Sequence, residues 1–179
     1  MTGKRVFAGT IEITRLALLS ALLFGAKIAM VPLPNIEPVS LLVIVYASVL
    51  GLKALIPVYV YVLLEIITWG LGYWSFCYLY VWAVLALAAC FLRRMESSLG
   101  WAILSGAFGL CFGALCALSY WAVGGWGFAL SWWISGIPFD ILHCLGNFVM
   151  ALVLFRPCRK VLFRLTGRNS SYLQTHNET

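Results

Sequence analysis

The sequence predicts an all-α membrane protein, six transmembrane helices in one compact bundle with both termini cytoplasmic. Three observations carry that prediction. Of 179 residues, 63% are hydrophobic and only 10% are charged, against roughly 25% charged in a soluble domain. That leaves too little polar surface to cover a water-soluble globule. The apolar residues fall into six runs separated by proline, glycine or basic breaks. The Lys and Arg residues of the connections lie on one side only. The length fits a single domain over 1–179, and six spans with short connections leave no room for a soluble catalytic domain.

The first helix is expected over 11–30. It ends at Val31-Pro-Leu-Pro-Asn-Ile-Glu-Pro38, where three prolines in seven residues cannot continue a helix. No small-residue cleavage pattern follows it, so it reads as a helix and not as a signal peptide. The second is expected over 39–52, ending at Gly51-Leu-Lys53, and the third over 54–69, ending at the glycine-aromatic segment Gly70-Leu-Gly-Tyr-Trp-Ser75. The fourth, 77–92, stops at Arg93-Arg94. The fifth, 99–123, stops at Gly124-Gly-Trp-Gly127, and the sixth spans 130–155. A basic segment follows, and 165–179 reads as a flexible cytoplasmic tail. A 15-residue helix reaches only about 22 Å, short of a hydrocarbon core of about 30 Å. The second and third spans therefore point to a pocket beside them.

Charge sets the orientation. With the N-terminus inside, Lys4, Arg5, Lys53, Arg93, Arg94, Arg156, Arg159, Lys160, Arg164 and Arg168 all fall in the cytoplasm, while the connections 31–38, 70–76 and 124–129 hold no Lys or Arg. This is the positive-inside pattern at every connection, and it requires an even number of spans. It also accounts for the net charge of +6 without invoking nucleic acid. The six cysteines show no CxxC spacing and read as reduced thiols in apolar runs, with Cys77 the exception because it falls at an outer connection.

Ionisable residues within spans are costly and mark function by default. Lys27 lies near the outer end of the first helix, Asn35 and Glu37 in the first outer loop, and Glu65 one turn below the outer end of the third. Asp140, His143 and Asn147 share one face of the sixth helix by their i, i+3, i+7 spacing. That stripe either contacts a ligand or knits the sixth helix to its neighbours. Pro138 frees a backbone carbonyl near the same level. Trp69, Tyr73, Trp74, Phe76, Tyr78, Tyr80 and Trp82 crowd the second outer connection and the start of the fourth helix, and Trp121, Trp126, Trp132 and Trp133 the third. Aromatic belts occupy both membrane faces, so this one-sided excess points to a pocket that stacks a planar ligand. Ala17, Ala21 and Gly25 give the first helix a small-residue stripe that admits close helix approach. Gly106, Gly109, Gly113 and Ala117 do the same for the fifth, where the reading is packing within the bundle.

The sequence holds no phosphate-binding loop, no HExxH and no GxSxG. No metal or cofactor is expected. An embedded enzyme using Glu65, Asp140 and His143 as acid, base or ligands is one alternative, and a ligand-free accessory subunit is another.

The six-helix plan, Ala17 and Ala21, the loop Pro32-Leu-Pro-Asn-Ile-Glu-Pro38 and the segment Pro138-Phe-Asp-Ile-Leu-His143-Cys-Leu-Gly-Asn147 together resemble the substrate-binding S components of energy-coupling factor (ECF) transporters. The resemblance covers nearly the whole chain. It rests more on topology than on motif. It implies a multi-pass protein of a prokaryotic plasma membrane that binds a vitamin or related micronutrient from outside. Delivery would depend on a transmembrane coupling protein and two cytoplasmic ATPases. It implies that Ala17, Ala21 and Gly25 face the coupling protein. Lys27, Asn35, Glu37, Glu65, Trp69, Tyr73, Trp74, Tyr78, Asp140, His143 and Asn147 would line or cap the pocket. A planar ligand such as a flavin or a nucleobase-like precursor suits the aromatics.

Overall fold

The computed structural model describes residues 2–32 and 38–167, with side chains from residue 9 onward. Among these residues every regular element is a helix. Helix α1 is Thr2–Ala29, α2 is Val39–Leu50, a 3-10 turn follows at Gly51–Ala54, α3 is Leu55–Trp69 and α4 is Tyr73–Phe91. The last helical stretch, Ser98–Thr166, is interrupted at Gly125 (φ 73°, ψ −176°). Its limbs, 98–124 and 126–166, are called α5 and α6. Three helical runs, Val39–Trp69, Tyr73–Phe91 and Ser98–Thr166, are long and apolar enough to cross a membrane. The chain is thus an all-helical protein of membrane-compatible composition.

The close contacts fix the path. Gly106 lies against Cys144 and Phe148, Gly109 against His143, and Gly113 against Asp140. The partner's number falls as the glycine's number rises, so α5 and α6 run antiparallel and the chain reverses at Gly125. A side chain there would meet the steric cost of positive φ. Helices α4 and α5 are antiparallel by the same logic. The Tyr80 hydroxyl donates to the Leu115 carbonyl (2.6 Å), and Trp82 meets Phe112 and Phe108. Helix α3 pairs with α4 through Tyr59 donating to the Leu79 carbonyl and Tyr61 meeting Trp82 edge-on. Helix α1 packs mainly along α3 and more slightly against α2, where Tyr46 donates to the Leu19 carbonyl, and its Glu12 pairs with Lys53 of the 3-10 turn.

Helix α2 is the central element. It is apolar all round, the pattern of a helix with no solvent face, and ten of its twelve residues are buried. At Gly51 (φ 64°) it ends with the glycine N–H on the Ala47 carbonyl, and the chain then turns into α3. Pro57 sits in the first turn of α3, where its missing N–H costs no helical bond.

Helix limits differ from the expected ones where hydropathy is a poor guide. Helix α1 begins at Thr2 instead of 11. Helix α4 begins at Tyr73 instead of 77, because Ser75 closes its first turn: the Gly72 N–H donates to the Ser75 hydroxyl and the Ser75 N–H to the Gly72 carbonyl. Helix α6 runs to Thr166 instead of 155, since an apolar run stops where charge begins but a helix of Arg, Lys and Leu does not. The expected tail at 165–179 is therefore helical at its first two residues, and 168–179 lie outside the described residues.

One expectation is corrected outright. Cys77 and Cys116 form a disulfide between α4 and α5, while Cys90, Cys111, Cys144 and Cys158 are free. Cys116, expected as a reduced thiol, lies about as far after the 92–97 turn as Cys77 lies before it. Antiparallel packing brings them together.

Candidate functional site

The polar stripe of α6 faces the protein interior. Asp140, His143 and Asn147 are 6%, 4% and 1% exposed. Their burial follows from what α5 lacks. A Cβ at Gly109 would stand 2.8 Å from the His143 backbone carbonyl, and one at Gly113 would collide with the Asp140 carboxylate. The glycine stripe thus lets the two backbones close to contact, as small residues do in membrane bundles, and seats the polar side chains in the seam.

Each side chain in the seam has a distinct role. Asp140 Oδ1 accepts the Gly113 N–H (3.0 Å). The Asn147 amide donates to the Ser40 hydroxyl (3.0 Å) and to the Ser105 carbonyl (3.3 Å), joining α6 to α2 and α5. His143 meets Phe112 edge-on at 5.0 Å. Asp140 Oδ2, Asn147 Oδ1 and the Ser105 hydroxyl are buried with no hydrogen-bond partner among the described residues. An unsatisfied buried polar group costs about 1–3 kcal/mol. Three such atoms lie in this one seam.

Helix α2 gives that seam its depth. Twelve residues span only about 18 Å, well short of a core of about 30 Å. Ser40, in its first turn, lies level with Ser105 and Asn147, both well inside their own helices. The positive end of the α2 dipole therefore lies within the bundle, while α3, α4, α5 and α6 continue past it toward the Gly125 end.

The acid of α3 is buried on its own helix. Glu65 is 3% exposed and lies one turn after Tyr61 on α3. Rings then connect Tyr61 to Trp82 (6.1 Å), Trp82 to Phe112 (5.8 Å) and Phe112 to His143 (5.0 Å). Trp74 and Tyr78 extend this ladder toward the start of α4, Trp74 to Tyr78 at 5.2 Å and Tyr78 to Trp82 at 5.5 Å. Trp69 and Tyr73 do not join the interior. They are 56% and 52% exposed, at the rim where a belt places them, and Tyr73 leans on Tyr120. Lys27 is half-buried on α1. Asn35 and Glu37 lie outside the described residues.

Ser40, Ser105 and Phe112 belong to this centre but were not singled out from sequence. A serine in an apolar run is a weak signal, because its hydroxyl is so often satisfied by its own helix backbone. Among the described residues no three His, Cys, Asp or Glu side chains gather in a metal-binding group. A separate hollow of about 500 Å³ lies between α4 and α5, lined by Phe76, Tyr80, Leu118, Ser119, Ala122 and Val123. It contains none of the expected site residues. Its Tyr80 and Ser119 hydroxyls are already bonded to backbone carbonyls.

On α1 the stripe Ala17, Ala21 and Gly25 is exposed, and among the described side chains of that helix Leu19, Ser20 and Leu23 are the ones buried against the bundle. No protein-family model, curated protein or solved structure matches this chain.

Proposed function

We propose that this chain is the substrate-binding membrane subunit of an ECF-type importer, taking up a vitamin-like micronutrient from outside. Six crossings with both ends cytoplasmic complete the reading, and a coupling membrane protein with two ATPases supplies the energy. The observation that carries it is the seam at the head of α2. There Asp140, Asn147 and Ser105 hold buried polar atoms without hydrogen-bond partners among the described residues, below the level to which four helices continue outward. A purely structural network would satisfy its own members.

The disulfide supports the orientation independently of charge. Cys77 and Cys116 lie toward the Gly125 end of the α4–α5 pair, and Cys90 and Cys158, toward the basic end, are free. Disulfides persist in oxidising compartments, which matches an outer Gly125 end. The exposed Ala17, Ala21 and Gly25 face suits close approach of a partner helix. The aromatic ladder from Trp74 to His143 favours a ligand with a planar ring, and the seam favours one that also carries hydrogen-bonding groups.

The test is mass spectrometry of small molecules retained by the purified protein, followed by binding to variants. Retention of one organic micronutrient is expected, with Asp140→Ala and Asn147→Ala each weakening it roughly 10-fold or more, in line with about 1.5–3 kcal/mol for hydrogen bonds to charged groups. Undiminished binding in both variants, with helix content unchanged, would refute the site. Turnover of a substrate by the purified chain without ATP would favour the embedded enzyme.

A further inference from the structure

Helix α6 continues for some eleven residues past Phe155, about 16 Å at 1.5 Å per residue. The continuation is folded against the bundle. Phe155 stacks on Trp101 at 4.7 Å, Leu162 is buried, and Arg15 of α1 donates to the Thr166 carbonyl. Arg159 lies over the rings of Phe155 and Phe163 and donates to the Arg93 carbonyl of the turn after α4. Burial pulls its guanidinium below the ordinary range, opposed by Glu96. Arg159 is thus a clasp between α6 and that turn.

The other basic residues of the extension are placed differently. Arg156, Lys160 and Arg164 recur every four residues, so they form one stripe, and all three are exposed. Arg94 is exposed on the neighbouring turn. The two acids described at this end act elsewhere: Glu12 pairs with Lys53 and Glu96 acts on Arg159. Beside the basic stripe runs an apolar one, with Val161 54% and Leu165 61% exposed. A helix immersed in water gains nothing from that second stripe. A helix lying in a lipid interface uses both, apolar groups toward the acyl chains and basic groups toward phosphate.

We propose that the 156–166 segment of α6 binds the headgroups of anionic phospholipids through Arg156, Lys160 and Arg164, with Val161 and Leu165 dipping into the acyl layer. Charge complementarity selects anionic over zwitterionic lipid, and the apolar stripe selects a membrane over a soluble polyanion. The segment anchors the cytoplasmic end of the bundle to its leaflet, independently of what the outer seam binds.

The test uses the full chain, delipidated and offered phosphatidylglycerol or phosphatidylcholine, with retained lipid counted by native mass spectrometry. The wild-type protein should prefer phosphatidylglycerol, and R156Q/K160Q/R164Q should lower that preference by roughly 100-fold, from the usual gain per basic residue at an anionic surface. Val161→Ser with Leu165→Ser should weaken retention while leaving the charge intact. Equal retention of both lipids by the wild type would overturn the proposal, as would an undiminished preference in the triple variant. Displacement of the lipid by millimolar inorganic phosphate would assign a small-anion site in its place. Absence of any lipid preference, with an acidic protein held by the same three residues, would make this a protein-docking face.

Discussion

Helices α1 and α2 are neighbours in sequence and opposite in environment. Ten of the twelve residues of α2 are buried, whereas α1 touches the bundle chiefly through Leu19, Ser20 and Leu23 and leaves Ala17, Ala21 and Gly25 open. In water an exposed apolar helix face would mark an error or an interface. In lipid, exposed leucine is ordinary, since acyl chains are as apolar as leucine itself. The informative feature of α1 is therefore not that its outer face is apolar but that its centre is small. The difference teaches that hydropathy alone cannot rank membrane helices by role. Side-chain size does, because a smooth face serves another helix better than it serves lipid.

That contrast can be broken from the α2 side with the largest effect. Ile44 is fully buried, so Ile44→Ala should cost about 2–5 kcal/mol through lost contacts and an unfilled cavity. Unfolding in detergent, followed by helix content, measures it. A cost under about 0.5 kcal/mol would mean that α2 is not the core. The join between the two helices should matter less. Tyr46 donates to the Leu19 carbonyl at 3.1 Å, and Tyr46→Phe removes that bond while keeping the ring. A loss of about 0.5–1.5 kcal/mol is expected, and no loss would show that α1 is held by its side-chain packing alone.

How much of this was legible in the sequence depends on which physical signal each feature leaves. The helical class and the breaks at Gly51, Gly70 and Gly125 were legible, because apolar runs and chain-reversing glycines write themselves locally. So was the inward stripe of α6, because Asp140, His143 and Asn147 cannot face lipid cheaply. The ends of α1 and α6 were not, since charged residues end an apolar run without ending a helix. Trp69 and Tyr73 could not be told from Trp74 and Tyr78 by type or position. Only the start of α4 at Tyr73 decides which of them turn inward. The partnership of Asn147 with Ser40, 107 residues away, leaves no local trace, nor does that of Cys77 with Cys116. Both are set by how antiparallel helices are registered, which follows from packing and not from composition.

The smallest effect on stability is expected on the open face of α1, and it is the most informative about role. Ala17→Trp with Ala21→Trp adds bulk where nothing in the fold stands in the way, because both residues are exposed and neither contributes to the core. Substitutions at such positions usually change stability by no more than about 0.5 kcal/mol. The bundle should therefore fold as before, and the ligand proposed for the seam at the head of α2 should bind with unchanged affinity. On the proposed function, what should disappear is association with a coupling membrane protein, since two indoles forbid the close backbone approach that alanine and glycine permit. Co-purification with that partner and ligand binding, measured on the same preparation, separate the possibilities. Lost association with intact binding assigns the face to docking. Intact association moves the docking surface to another helix. Loss of both would place Ala17 and Ala21 inside the structural core after all and erase the difference between α1 and α2.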